Sequence, residues 1–298
     1  MERNIAEKIS EIEDEMIEIR REFHQYPEVG FEEDKTSQMI ADYLRAWGLK
    51  VTEGIGKTGV IGVLNGNNSG RTIAIRADID ALPIEEKTGL KCKSKNEGTM
   101  HACGHDGHIT MALGAARILS TFKDKIEGKI KFIFQPAEEK LAGAEAMIAD
   151  NVLDNPNVDA IIGLHIWPEL ESGIIGVKKG PIMAAVDKFE IEIIGKGGHG
   201  AIPQKAVDPI VIASDVVNGL QKIISREVDP LKSGVITVGT LEAGTAFNII
   251  PDKVKMSGTV RTFDINIRQH IAERMENIVS SITEGHRAKY NFDYHFGI

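Results

Sequence analysis

Nine consecutive residues, MHACGHDGH at 100–108, hold three histidines, one cysteine and one aspartate. A thiolate beside an imidazole suits zinc or a related transition ion. Cys103 and His105 stand just before the apolar-periodic stretch DGHITMALGAARIL, which reads as a helix capped by Asp106. The partial positive charge of a helix N-terminus then favours the thiolate of Cys103. His101 and His108 read as groups supporting the ligands or as helix-cap residues rather than as ligands themselves.

Two further stretches carry compatible chemistry. KIKFIFQPAEE reads as a strand closed by Pro136, followed by the neighbouring carboxylates Glu138 and Glu139. Adjacent residues at a strand end point different ways, so one can hold a cation while the other reaches a water beside it. DAIIGLHIWP places His165 at the end of an apolar run, as a further ligand or as a satisfied core imidazole. TIAIRADIDALP ends a strand with Asp78 and Asp80, which either orient imidazoles or cap the following turn.

These groups need a frame. Residues Ile9, Ile12, Met16, Ile17 and Ile19 mark an amphipathic helix from Ile5 to Phe23, and DKTSQMIADYLRAWG reads as a second helix ended by Gly48. The β-branched runs GVIGVLNG, TIAIRAD, KIKFIFQP and DAIIGLHI alternate with the helical segments HITMALGAARILSTF and GAEAMIADNVL. That pattern is an α/β layered domain, a central sheet with flanking helices, whose chemistry collects beyond the strand ends. Gly180 and Pro181 mark a boundary, giving a metal-binding domain over 1–181 and a second domain over 182–298. In the second, strand 186–194, helix 208–226, strands 235–243 and 253–263, helix 266–285 and strand 289–296 form βαββαβ, the α+β ferredoxin-like order.

Composition narrows the function classes. The 298 residues carry a formal charge of −9 with acids and bases interspersed, which argues against nucleic acid or an anionic membrane as partner. Cys92 and Cys103 are the only cysteines, too few for a disulfide framework, so a reducing cytoplasm is expected. The first residues read as a helix rather than a signal or transit peptide, and no apolar run is long enough to span a bilayer.

The ordered motifs RREFHQYPEVGFEE, RADIDALPI, MHACGHDGHITM, QPAEE, GLHIWP, GKGGHGAIP, AFNIIP and GTVRTF resemble the aminoacylase-like metallo-amidohydrolases. The branch is that of hippurate hydrolases, N-acyl-amino-acid amidohydrolases and auxin-conjugate hydrolases. The resemblance implies cleavage of the amide of N-acyl-L-amino acids by a metal-activated water. It implies two divalent ions (Zn, Mn, Co or Ni) bridged by Cys103 and further held by His105, Glu139 and His165, with Glu138 as general base. It also implies that His199 polarises the scissile carbonyl, that Asn248 and Arg261 bind substrate, the arginine at a carboxylate, and that 182–298 is an inserted lid and dimerisation domain making a homodimer. In the family the chain returns from that domain to complete the first and to add a last histidine ligand. Nothing follows Ile298 here, so an incomplete catalytic domain with exposed apolar surface is expected. The alternatives are a catalytically impaired remnant that only self-associates or, among enzymes, a carboxypeptidase or N-acetyl-diaminopimelate deacetylase.

Overall fold

A computed structural model describes residues 2–297. The chain divides into two units, Met1–Ile174 and Ile175–Ile298. The division falls between Ile174 and Ile175, within an irregular connection that also holds Gly180 and Pro181 and ends where the next strand begins at Ala185.

The first unit opens with two helices, α1 (Glu2–Gln25) and α2 (Asp34–Ala46), and two antiparallel strands, β1 (Lys50–Ile55) and β2 (Gly59–Asn65). Then come β3 (Asn68–Asp78), α3 (His105–Ser120), β4 (Glu127–Gln135), α4 (Gly143–Ala149) and β5 (Ala160–Gly163). The sheet order is β1-β2-β4-β3-β5. β3 runs parallel to both β4 and β5, while β2 meets β4 antiparallel, so the sheet is mixed. The polar-apolar sequence of β1 gave no strand signal, and its exposed residues explain why.

Period-two alternation sorts β4 between two cores. Phe132 and Phe134 join Ile19, Phe23, Leu44, Ile109 and Leu113 beneath α1, α2 and α3. Ile133 faces the other way, with Ile61, Val63 and Met147 of α4. The two faces together bury the sheet's centre and fix its register, since a one-residue slip would exchange them. β5 is an exposed edge, with Ile161 and Ile162 each 55% accessible. The three parallel strands all end on one side, at Asp78, Gln135 and Gly163, where the loops carrying the candidate groups begin.

The second unit contains β6 (Ala185–Ile194), β7 (Gly198–His199), α5 (Pro209–Arg226), β8 (Gly234–Ala243), β9 (Ile249–Ile250), β10 (Lys253–Thr262), α6 (Ile265–Gly285) and β11 (Lys289–His295). Its four long strands pair antiparallel in the order β11-β6-β10-β8, with β7 and β9 forming a separate small ribbon. Asp208 and Asp264 accept hydrogen bonds from the first turns of α5 and α6, which is why both helices start where they do. Phe189, Ile191 and Ile193 of β6 alternate inward against Val216, Leu220, Met275 and Val279 of the helices. Lys188, Glu190 and Glu192 alternate outward and form ion pairs on the open face. Among the described residues no helix is long and apolar enough to cross a membrane.

Candidate metal centre

Five elements of the first unit deliver side chains to one place. β3 ends on Asp78; the loop after β4 supplies Glu138 and Glu139; the segment after β5 supplies His165; a turn supplies Cys103; and α3 begins with His105. Ligand-capable atoms of Cys103, His105 and His165 all lie within 4.8 Å of one another, as do those of His105, Glu138 and Glu139, and those of Asp78, His105 and His108. His105 belongs to all three groups.

The hydrogen bonds fix which atoms are free. His105 Nδ1 lies 2.8 Å from the carbonyl oxygen of Asp80, which can only accept, so Nδ1 carries the proton and Nε2 carries the lone pair. That Nε2 is buried and has no hydrogen-bond partner among the described residues. His165 repeats the arrangement: Nδ1 donates to the carbonyl of Ile166 at 2.6 Å, leaving Nε2 as the lone-pair nitrogen, 3.6 Å from Cys103 Sγ. Glu139 Oε1 is also buried without a partner, 3.9 Å from His105 Nε2. Buried polar atoms are normally satisfied, so the orphaned His105 Nε2 and Glu139 Oε1, together with the exposed lone pair of His165 Nε2 and the sulfur, fit a thiophilic or borderline divalent cation.

Burial and mutual repulsion among the acidic groups shape the electrostatics of the cluster. Burial, with the charges of Glu139, Glu138 and Asp78, pushes the Cys103 thiol up to about 12. The expected help from the helix terminus is outweighed by that burial and by the three carboxylates near the sulfur. Burial and the charges of Asp78 and Glu139 also raise Glu138 above the usual carboxylate range. Burial works against ionised Asp78 as well, but the hydrogen bond to His108 and the neighbouring His105 ring and Arg76 guanidinium overcome it and hold Asp78 far below that range. Burial would lower His105, yet its contacts with Asp80 and Asp78 raise it overall.

The supporting residues differ from expectation in two respects. Asp106 does not cap α3, whose N-cap is Gly104 in the left-handed conformation at φ 84°. Its buried carboxylate instead accepts from His24 at 3.0 Å and Arg20 at 3.2 Å, tying the metal-loop helix to α1. His101 is 3% exposed with both ring nitrogens lacking partners among the described residues, and burial pushes it down to about 4, so it is a neutral buried imidazole. Sequence reasoning overlooked Glu33. Its buried carboxylate accepts from the Ala137 N–H at 2.8 Å and from the Thr58 hydroxyl at 2.5 Å, holding the loop one residue before Glu138. Asp80 accepts from the Glu139 N–H at 3.0 Å, and a Cβ on Gly30 would sit 2.8 Å from the Cα of Ala137. Only the position of Glu33 within the RREFHQYPEVGFEE motif hinted at this role.

The remaining expected residues lie in the second unit. His199 on β7 pairs with Ile249 of β9, and Gly200 N–H donates to the Asn248 carbonyl at 3.0 Å, so the small ribbon brings His199 and Asn248 together. Both side chains are exposed. Arg261 sits apart from that ribbon, on β10 opposite Val186 and Val235, and is also exposed.

Comparison with known proteins follows the same lines. The profile of peptidase family M20/M25/M40 matches residues 74–290. An N-acyl-L-amino acid amidohydrolase of Geobacillus stearothermophilus is 48% identical over 294 residues, covering 98% of this chain and 79% of the relative. Thermostable carboxypeptidase 1 of Saccharolobus solfataricus is 47% identical over 277 residues, covering 92% and 70%. The crystal structure of the Bacillus subtilis YXEP protein, described as a dinuclear metal-binding peptidase of the M20 family, superposes with a TM-score of 0.84 at 40% identity, covering 97% of this chain and 75% of that one. The chain belongs to peptidase family M20/M25/M40 and is a hydrolytic enzyme acting on amides.

Proposed function

We propose that this hydrolase cleaves the amide bond of N-acyl-L-amino acids, with Glu138 as its general base and Cys103, His105, Glu139 and His165 as the ligands of two divalent ions. The observation that carries the reading is the set of lone pairs at His105 Nε2, His165 Nε2 and Glu139 Oε1, each left without a strong protein donor beside the Cys103 sulfur. When bound, such ions supply Lewis acidity and a water of lowered pKa. The ion is zinc, manganese, cobalt or nickel, all compatible with this donor set.

The chain's own residues do the rest. Glu138, half-buried with its pKa raised, takes the proton of the attacking water and passes it to the departing amine nitrogen. Glu139 does not compete for that role, because its backbone N–H is anchored to Asp80 and its free oxygen faces His105. In the second unit we assign Arg261 to the substrate carboxylate, which a guanidinium grips with two parallel hydrogen bonds. Asn248 contributes a further polar contact, and His199 polarises the scissile carbonyl. This unit, with its βαββαβ order, acts as a ferredoxin-like lid and homodimerisation domain. A cytoplasmic location fits the two free cysteines.

Assay of the metal-loaded protein against N-acetyl and N-benzoyl amino acids, beside unblocked dipeptides, tests the reading. Release of free amino acid from the acylated substrates, abolished by chelation and restored by metal, is the expected result. Turnover of the dipeptides alone would make the enzyme a carboxypeptidase. No turnover of either class with metal present would contradict the reading.

A further inference from the structure

His108 is 2% exposed and lies one helical turn after His105, against both candidate imidazoles: its ring centroid is 5.2 Å from that of His105 and 4.7 Å from that of His165. Its proximity to Asp78 and His105 gives it the look of a ligand. Its hydrogen bonds exclude that. The Ile166 N–H donates to His108 Nε2 at 2.8 Å, so Nε2 has already used its lone pair. Nδ1 therefore carries the ring proton and donates it to Asp78 Oδ1 at 2.5 Å. Both nitrogens are committed, and neither is left to bind a cation.

What the ring does instead follows from where its two bonds lead. Asp78 ends β3 and is fixed by Arg76, which in turn donates to Gln135 at the end of β4. Ile166 is the residue after His165, and its carbonyl accepts the His165 Nδ1 proton. The path runs from two strand ends through His108 to the backbone of Ile166 and thence to the tautomer of His165. Gly107 leaves room for the Ile166 side chain, since a Cβ there would stand 2.5 Å from Ile166 Cδ1. β5 stops at Gly163, so no ladder bond holds His165 itself.

We propose that His108 is a positioning residue: by accepting the Ile166 N–H it fixes the segment after β5, and with it the direction of the His165 lone pair toward Cys103. This rests on the assignment of Cys103 and His165 as ligands made above. Outer groups that orient ligands typically contribute about 10- to 100-fold to metal affinity. Two substitutions separate the two bonds. His108→Asn keeps an N–H for Asp78 and offers nothing to Ile166, while His108→Gln places a carbonyl near the Nε2 position for Ile166 and gives up the donor to Asp78.

The test is cobalt binding by the apo-protein, titrated against a competing chelator and read by visible absorption, with apo melting temperature measured alongside. Wild-type protein should show a sulfur-to-cobalt charge-transfer band that Cys103→Ser removes. If it does not, the ligand assignment itself fails, independently of His108. Given that band, His108→Asn should bind cobalt about 10- to 100-fold more weakly with an altered spectrum and little change in apo melting, and His108→Gln should restore the wild-type spectrum. An unchanged spectrum and affinity in His108→Asn, or failure of His108→Gln to restore them, overturns the proposal. Loss of the apo fold in His108→Asn would assign the residue to folding and overturn it equally.

Discussion

Three histidines within reach of one another differ in which ring nitrogen is left free, because of the bonds each ring makes. His105 and His165 spend Nδ1 on carbonyl oxygens and keep Nε2 free, whereas His108 spends both nitrogens. The neighbouring glutamates divide in the same way on the proposed reading, Glu139 held at its backbone by Asp80 and Glu138 assigned to move a proton. The account therefore predicts opposite outcomes at adjacent positions. Glu138→Gln should lower kcat by about 10²- to 10⁴-fold, the usual contribution of a general base, while metal content by atomic emission stays at the wild-type level. Glu139→Gln should lose metal first and activity as a consequence, and the reverse pattern would mean the two roles are exchanged. The residue types were legible in sequence, since a cysteine and histidines crowd into 100–108 and the two glutamates follow a strand. The tautomers and the raised Cys103 were not, because they are set by Asp80, Ile166 and the carboxylates that only folding brings near.

At the scale of elements, parallel strands β3, β4 and β5 bring their C-terminal ends together, and the loops beyond them are held by bonds from elsewhere. Glu33, just before α2, holds the loop after β4 through Ala137. Burial, only partly offset by Thr58 and Ala137, raises the pKa of this carboxyl. A carboxyl with a raised folded-state pKa stabilises less as pH climbs, since the folded form must ionise a buried group. Stability from Glu33 should thus decline from about pH 4, near the unfolded value, upward through its raised folded value. Glu33→Gln keeps an acceptor for the Ala137 N–H and a donor for the Thr58 oxygen. Calorimetric melting should show this variant gaining on wild type as pH rises through that window, and a constant difference at all pH values would contradict the assignment. The strands β2, β3 and β4 were legible from their β-branched runs, and the six main elements of the second unit fall within one residue of expectation at each end. The run DAIIGLHI reads as one strand through Ile166, but its ladder with β3 closes at Arg76 and Gly163, and that early release lets His165 turn toward Cys103.

Over the whole molecule, the two units have separate apolar cores, one on each face of the sheet in the first and one between sheet and helices in the second. A glycine-proline pair signals irregular backbone without saying which unit that backbone joins, and the units divide at Ile174–Ile175 within the same irregular stretch. Homodimerisation through the second unit, as proposed, predicts sedimentation at twice the chain mass at micromolar concentration. A single monomeric species across a concentration series would refute it. In the first unit side chains from separate loops meet, so the central claim is one of convergence. Anomalous diffraction from crystals grown with manganese examines it directly. The account predicts density peaks within bonding distance of Cys103 Sγ, His105 Nε2, His165 Nε2 and the Glu139 carboxylate. Saturating manganese with no peak among these four groups, or with peaks only elsewhere, would contradict it.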